Sequence, residues 1–218
     1  MTKIFDLQHG QLPILVSMPH NGTAIPQDIQ NDMHPYALRV IDTDWYLDKL
    51  YSFANDLGCS IISPHYSRYV IDLNRPRNNE SLYPGSDTTE LCPTSQFDKR
   101  PIYLPGKEPT ETEIKRRIET YWRPYHDCLE DTLTELVIRH GYVLLFEAHS
   151  IKSEVPRFFE GKLPDFNFGN LNGETSSKQI NQLLEHWQPQ GYTKVVNQRF
   201  KGGYITRHYG QPGDNIET

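Results

Sequence analysis

The sequence predicts a single α/β domain with a mixed, mostly parallel sheet flanked by helices. Two apolar runs, residues 12–18 and 142–147, are typical of strands buried on both faces of a parallel sheet. Predicted strands also alternate with predicted helices along the chain, and this alternation favours parallel pairing. The 218 residues fit one domain with a full core, and no linker or repeat divides them. We therefore expect one domain over residues 1–218.

The strand predictions rest on short apolar segments bounded by polar or turn residues. The segment ending at Glu147 is the strongest, because four apolar side chains follow one another before it. Residues 69–73 also alternate and end at Asn74, which predicts a further strand. The predicted strands are residues 12–18, 60–63, 69–73, 142–147, 195–196 and 204–205.

Helices are predicted over residues 35–57, 110–140 and 175–187. The first has apolar residues at helical spacing and closes at Gly58. The second begins at Thr110, which has capping-box spacing to Glu113, and Pro124 should bend or divide it near Arg123. Two irregular stretches, residues 76–109 and 151–174, are long enough to predict functional loops.

Composition restricts the class of protein. No apolar stretch approaches the roughly 20 residues that a membrane span needs, and the N-terminus lacks the apolar core of a signal peptide. The net charge of −6 argues against a nucleic-acid partner, since phosphate binding favours a basic surface. The three cysteines form no CxxC pair and suggest a reducing cytoplasm. We expect a cytoplasmic protein with a small-molecule substrate; oligomeric state is not indicated.

Two histidines each follow a predicted buried strand. His20 comes after residues 12–18 and His149 after residues 142–147. The carboxyl ends of parallel strands are where open α/β sheets bind ligands, so we expect the two imidazoles within metal-ligand reach of each other. A carboxylate would complete a zinc site, and Asp42, Asp44 and Glu147 are candidates. Glu147 could instead orient His149 from behind. Alternatively, both are ordinary loop histidines among the nine in the chain.

A second group of polar residues lies in the segment RYVIDLNRP, residues 68–76. Asn74 and Arg75 stand at its predicted strand end, and an arginine fork beside an amide is suited to binding a carboxylate. The segment therefore predicts a clamp for an anionic substrate. The alternative is a surface ion pair of Arg75 with Asp72 or Asp87.

A third group lies in FKGGYITRHYG, residues 200–210. Gly202 and Gly203 allow close approach of the backbone to a ligand, and Arg207 follows. This is not a phosphate loop, which requires Gly-Lys-Ser/Thr before a helix; a plain glycine turn is the alternative. No GxSxG motif indicates a serine nucleophile. His126, in the long predicted helix, is interpreted as structural.

Several motifs in order resemble the N-formylglutamate amidohydrolases, also called N-formylglutamate deformylases. The resemblance covers nearly the whole chain and rests on SMPHNGTAIP, DTDWYLDKLYSFA, SRYVIDLNRP, EAHS, LPDFNFG and FKGGYITRHYGQP. It implies a zinc-carboxypeptidase-like fold of the phosphorylase/hydrolase type. It also implies hydrolysis of N-formyl-L-glutamate to formate and L-glutamate, the last step of one route of histidine degradation.

The resemblance also implies roles for individual residues. The segment DLNR is similar to the piece of aspartoacylase and succinylglutamate desuccinylase that holds the substrate carboxylate, which assigns Asn74 and Arg75 to substrate binding. We add Arg207 to that group. In those relatives a glutamate follows the first zinc histidine by three residues, but this chain has Thr23 there. An aspartate of DTDW must replace it, and we favour Asp42 over Asp44.

The predicted zinc site therefore consists of His20, Asp42 and His149 and holds one ion. Arg68 is expected to stabilise the developing oxyanion. The resemblance places the general-base glutamate on a strand after the GQP segment. We accordingly expect that the chain lacks a C-terminal strand and helix, and that Glu147 or Glu217 would have to serve as the base, with Glu147 preferred.

Two other functions are compatible with the sequence. One is a related amidohydrolase for another N-acyl acidic amino acid, since the acyl pocket cannot be predicted from these motifs. The other is a carboxylate-binding protein that keeps the clamp without turnover. A purely structural α/β domain without either function is also considered, and metal analysis would test it.

Overall fold

The computed structural model describes residues 3–83, 85 and 87–218. Within them the strands are β1 (Phe5–Gln8), β2 (Ile14–Ser17), β3 (Ser60–Pro64), β4 (Val143–Glu147), β5 (Phe166–Phe168), β6 (Lys194–Val196) and β7 (Ile216–Glu217). The α-helices are α1 (Gln27–Gln30), α2 (Leu47–Leu50), α3 (Ser52–Asp56), α4 (Glu111–Arg117), α5 (Arg123–His140), α6 (Lys178–His186) and α7 (Tyr204–Tyr209).

Five strands form the main sheet in the order β1-β3-β2-β4-β7. β1 pairs antiparallel with β3, and the other neighbours are parallel, which confirms the prediction of a mixed, mostly parallel α/β sheet. β2 and β4 are adjacent, with Ser17 opposite Glu147. The two predicted histidine-bearing strands therefore end side by side. β5 and β6 form a separate parallel pair.

Helices cover both faces of the sheet because the central strands are apolar on both. On one face Leu15 and Leu145 belong to a large core with Leu129 and Leu133 of α5. On the other face a smaller core joins Val16 of β2 to helices α2 and α3. Within the described residues, no helix is long and apolar enough to cross a membrane.

The long predicted helix is observed with one interruption. Thr110 caps α4, accepting a hydrogen bond from the backbone N–H of Glu113, and Gly141 ends α5 in the left-handed region at φ 84°. A π-helical turn, Ile118–Trp122, separates α4 from α5. Pro124 lies in the first turn of α5, directly after the π-helical turn.

The predicted helix over residues 35–57 is broken into shorter pieces. A 3₁₀ turn, Ala37–Arg39, is followed by α2 and α3. Val40 and Tyr46 have φ of 43° and 62°, which no helix accommodates. These two left-handed residues bracket the segment DTD and turn it toward the edge of the sheet where β2 and β4 end.

Two strand predictions are wrong. Residues 69–73 form turns, and residues 204–205 begin helix α7. The apolar side chains of both segments are buried without strand neighbours, since Val70 and Ile205 pack into the main core. The sequence interpretation also missed β1, whose FDLQ residues form the antiparallel edge.

Candidate metal centre

The structure brings His20 and His149 together just beyond the ends of β2 and β4. Their ring centroids are 5.0 Å apart. The carboxylate of Asp44 lies between them, with Oδ2 2.8 Å from Nδ1 of His149 and 3.9 Å from Nδ1 of His20. One donor atom from each of the three residues lies within 4.8 Å of the others. Two imidazole nitrogens and one carboxylate oxygen are a donor set that zinc accepts in catalytic sites.

Asp44, and not Asp42, completes this group, so the preference for Asp42 is corrected. Asp42 is also buried, but its Oδ2 accepts hydrogen bonds from the Tyr69 hydroxyl at 2.5 Å and from the backbone N–H of Phe97 at 2.9 Å. Asp44 is held at the histidines by its own backbone N–H, which donates to the carbonyl of His20 at 3.0 Å. The two carboxylates are only two residues apart in sequence, but they have different hydrogen-bond partners.

Each histidine is supported from behind by a second carboxylate. Nε2 of His20 is 2.6 Å from Oδ1 of Asp72, and Nε2 of His149 is 2.8 Å from Oε1 of Glu147. A carboxylate on Nε2 fixes the ring and leaves Nδ1 as the ligand atom, an arrangement common behind metal-binding histidines. Both Nδ1 atoms thus face the Asp44 carboxylate.

Glu147 is itself fixed by two other side chains. Its Oε2 accepts a hydrogen bond from the Thr206 hydroxyl at 2.8 Å, and its Oε1 accepts one from the Asn74 amide. The side-chain Oδ1 of Asn74 in turn accepts a hydrogen bond from the backbone N–H of Ile205 at 2.9 Å. Both oxygens of Glu147 are therefore occupied. The structure places Asn74 behind the metal-ligand group as a support of Glu147.

Arg68 lies at the same edge of the group. Its Nη2 donates to Asp72, and its Nη1 is 3.3 Å from Nδ1 of His20. Its guanidinium also stands over the Phe97 ring at 5.0 Å. Arg68 is buried, so its positive charge is held next to the candidate metal ligands with little screening by solvent.

The other two predicted arginines do not contact the histidines. Arg75 donates from Nε to the backbone carbonyl of Thr89 at 3.0 Å, and Arg207 donates from Nε to the carbonyl of Gly202 at 3.1 Å while lying over the Tyr83 ring. Among the described residues Arg75 forms no ion pair with Asp72 or Asp87. Arg75 is instead joined to Thr89, and Arg207 to Gly202 and Tyr83.

The charges of the group favour a proton or a cation at its centre. Burial alone would lower the pKa of His149, but the charge of Glu147 and the hydrogen bonds that the imidazole donates to Asp44 and Glu147 raise it to about 10. Burial and the neighbouring charge of Arg68 lower the pKa of His20, against the opposing effect of Asp72. Burial opposes ionisation of Asp72, yet Arg68 and His20 hold its pKa well below the usual range.

A profile of the N-formylglutamate amidohydrolase family matches residues 12–218. The chain belongs to this family. It is 44% identical to the N-formylglutamate deformylase of Pseudomonas putida, over 99% of this chain and 81% of the relative. It is 43% identical to the enzyme of the same name from Pseudomonas aeruginosa, over 99% of this chain and 82% of the relative.

Two solved structures share the fold of this chain. The crystal structure of an N-formylglutamate amidohydrolase from Ralstonia eutropha superposes with a TM-score of 0.80 at 27% identity, covering 98% of this chain and 83% of the other. A protein of Agrobacterium tumefaciens has the same fold, with a TM-score of 0.72 at 15% identity over 99% of this chain and 83% of that protein.

Two supporting residues of this amidohydrolase were missed by the sequence interpretation. Asp72 was considered only as an ion-pair partner of Arg75, and Thr206 was not considered at all. An aspartate inside the apolar run YVIDL was the available signal, because a buried carboxylate needs a charged or hydrogen-bonding partner. Nothing local to Thr206 indicates that it contacts Glu147.

Proposed function

We propose that the protein is a metal-dependent amidohydrolase that hydrolyses N-formyl-L-glutamate to formate and L-glutamate. The observation that carries this proposal is the convergence of His20, Asp44 and His149 in a chain of the N-formylglutamate amidohydrolase family. Two curated relatives are named for this deformylase activity. We further propose that the reaction belongs to histidine degradation in the cytoplasm.

The metal is proposed to be a single zinc ion held by Nδ1 of His20, Nδ1 of His149 and the carboxylate of Asp44. The fit rests on donor chemistry, since two imidazoles and one carboxylate converge and both rings are fixed from behind. When bound, zinc supplies Lewis-acid chemistry, polarising the formyl carbonyl and making water more acidic.

The chain's own residues supply orientation and charge. Asp72 and Glu147 hold the two imidazoles with Nδ1 directed at Asp44. Arg68 is proposed to stabilise the negative charge that develops on the formyl oxygen, because its guanidinium is buried 3.3 Å from Nδ1 of His20.

Glu147 is proposed as the support of His149 instead of the general base. A base must have an oxygen lone pair directed at the proton it removes, within hydrogen-bond reach. Both oxygens of Glu147 already accept hydrogen bonds, from Asn74 and Thr206, and one also faces Nε2 of His149. These contacts favour the orienting role that the sequence interpretation gave as its second option for this residue.

Arg75 and Arg207 are proposed to bind the carboxylates of the glutamate moiety. Arg75 and Arg207 are only half-buried. Arg75 is hydrogen-bonded to Thr89 and Arg207 to Gly202, and both of these acceptors are neutral. A guanidinium with neutral partners keeps its charge available for an incoming anion.

The test compares two aspartates two residues apart. Metal-free wild-type, Asp44→Asn and Asp42→Asn proteins are titrated with zinc, and formate release from N-formyl-L-glutamate is measured for each. We expect zinc-dependent formate release in the wild type, loss of stoichiometric zinc binding in Asp44→Asn, and zinc binding retained in Asp42→Asn. The proposal fails if the wild type releases no formate, or if Asp44→Asn binds zinc and turns over like the wild type. Release from other N-acyl glutamates at equal rates would change the substrate assignment.

A further inference from the structure

Residues 67–75 form an irregular segment, here called the site loop, that supplies Arg68, Asp72 and Asn74 to the candidate metal centre. It contains no strand, so its backbone carbonyls have no sheet ladder to pair with. Buried carbonyls without partners cost free energy and are therefore almost always hydrogen-bonded in folded proteins. The hydrogen-bond partners of these carbonyls therefore help to position Arg68, Asp72 and Asn74.

Helix α4, the π-helical turn and helix α5 run continuously from Glu111 to His140 and are here called the α4–α5 rod. Three of those carbonyls accept hydrogen bonds from side chains of this rod. Arg117 donates from Nη1 to the carbonyl of Val70 at 3.0 Å. Trp122 donates from Nε1 to the carbonyl of Arg75 at 3.0 Å. His126 lies 2.9 Å from the carbonyl of Leu73, which only accepts, so its Nε2 is the donor.

All three donors are buried, and two of them flank Asn74. Arg117, Trp122 and His126 are between 3% and 7% exposed. The His126 and Trp122 rings stack with centroids 3.8 Å apart, so the two donors form one rigid unit. This unit binds the carbonyls immediately before and after Asn74.

The π-helical turn between α4 and α5 puts these donors on one face. At 3.6 residues per turn, an uninterrupted α-helix would place Arg117 and His126 about 180° apart around the axis. One π turn acts like a single inserted residue, which reduces this angle to about 80° and the angle between Arg117 and Trp122 to about 40°. The turn spans Ile118–Trp122, between the first donor and the third.

We infer that Arg117, Trp122 and His126 are positioning residues for the active site, and that the π turn is the device that aligns them. They act through the site loop: Arg117 holds the turn between Arg68 and Asp72, and the ring pair fixes Asn74 behind Glu147. This inference rests on the proposed function for its link to catalysis. Its structural part, the ordering of the site loop, is independent of that function.

The experiment uses Trp122→Phe, which removes the indole N–H but keeps an aromatic ring beside His126, and Arg117→Lys, which keeps the charge but not the fork. Two control variants lie further along the same rod. Thr132→Val removes a buried hydroxyl that donates to the Cys128 carbonyl within α5. Leu136→Val removes one buried methylene about 20 Å along the helix from Trp122.

Hydrogen exchange of the site-loop amides, zinc affinity, and kcat and KM for N-formyl-L-glutamate are measured for all four variants. In Trp122→Phe and Arg117→Lys we expect faster hydrogen exchange of residues 67–75 and a lower kcat. We also expect zinc affinity to fall about tenfold, which is typical when an outer support of a metal site is lost. The controls should lower the melting temperature without these changes.

The inference is overturned if Trp122→Phe matches the controls in site-loop exchange and zinc affinity. If Arg117→Lys does not fold, Trp122→Phe alone decides. Faster site-loop exchange in Trp122→Phe, in a protein whose wild type releases no formate, would uphold the positioning of the loop and reject the proposed function instead.

Discussion

At the scale of single residues, each histidine of the candidate metal centre lies between two carboxylates. Each histidine has one carboxylate behind Nε2 and shares Asp44 at Nδ1. The buried carboxylate Asp72 does two tasks, since it also accepts a hydrogen bond from Arg68. Orientation of the ligands is thus built into the protein through hydrogen bonds that do not require an ion.

Replacing Asp72 should weaken metal binding without removing a ligand. In Asp72→Asn the amide is neutral and fixes His20 less firmly, and we expect zinc affinity to fall about 10–100-fold, as for other outer carboxylates behind metal-binding histidines. Isothermal titration of metal-free protein with zinc measures this. Asp87→Asn is the control, because Asp87 pairs with Lys99 and Arg157 on a more exposed part of the surface. Equal zinc affinity in both variants would contradict the role given to Asp72.

Replacing either arginine that is proposed to bind substrate, Arg75 or Arg207, by lysine should affect substrate capture. Lysine keeps the charge but loses the planar fork. For Arg75→Lys we expect kcat/KM for N-formyl-L-glutamate to fall by the equivalent of about 2 kcal/mol, the scale of one charge-assisted hydrogen bond. Arg207→Lys should behave similarly, with zinc affinity unchanged in both. Arg100→Lys is the control, since Arg100 pairs with Asp98 and lies over the Tyr36 ring. Unchanged kcat/KM in Arg75→Lys would make Arg75 a structural partner of Thr89.

At the scale of elements, the α4–α5 rod connects the core to the site loop. Its apolar side packs under the sheet, and its polar side chains bond to carbonyls of the loop. His126 must remain neutral for this, because its Nδ1 accepts from the Tyr209 hydroxyl at 2.9 Å while Nε2 donates to Leu73. Burial, with the nearby charge of His208, lowers the pKa of His126 to about 3 despite the hydrogen bond to Leu73.

This lowered pKa predicts a loss of stability in mild acid. Below pH 6.5 the unfolded chain binds a proton at His126 that the folded protein does not bind until about pH 3. The free energy of unfolding is therefore not reduced by this group above pH 6.5. It declines as the pH falls toward 3, with a slope of up to about 1.4 kcal/mol per pH unit. Urea unfolding between pH 7 and pH 5 should show a shallower decline for His126→Gln than for the wild type. Parallel curves would mean that His126 does not titrate in this way.

Some elements could be predicted from sequence because their signals are local. The apolar runs of β2 and β4 indicate buried parallel strands by themselves, and their carboxyl ends place His20 and His149 at one edge. The segment YVIDL carries the same apolar signal, yet its carbonyls are paired by helix side chains and not by a neighbouring strand. Sequence patterns cannot distinguish these two sets of hydrogen-bond partners.

The choice between Asp42 and Asp44 could not be predicted for a related reason. Both residues are buried acids in the same short segment. Their directions depend on the left-handed backbone at Val40 and Tyr46, and neither is a residue for which positive φ is expected. Tertiary contacts, such as the hydrogen bond from Tyr69 to Asp42, decide the outcome.

At the scale of the whole molecule, the sheet provides the rigid frame and irregular segments carry the chemistry. β2 and β4 are central strands covered by helices on both faces, so the points where they end are fixed by the core. Asp44, Arg68 and Asn74 reach these points from segments without strand structure. A rigid scaffold with ligands on its edge loops is the usual arrangement of an α/β active site.

One metal ion held by His20, Asp44 and His149 is proposed to make this protein a deformylase. The most direct measurement adds zinc in increments to chelator-treated protein and records formate release from N-formyl-L-glutamate. We predict that the rate of formate release is almost zero without metal, rises linearly with added zinc and reaches a plateau at one equivalent. The rate should not rise in this way in His149→Ala. Full formate release by the metal-free protein, or an unchanged titration in His149→Ala, would contradict the proposed role of the metal ion.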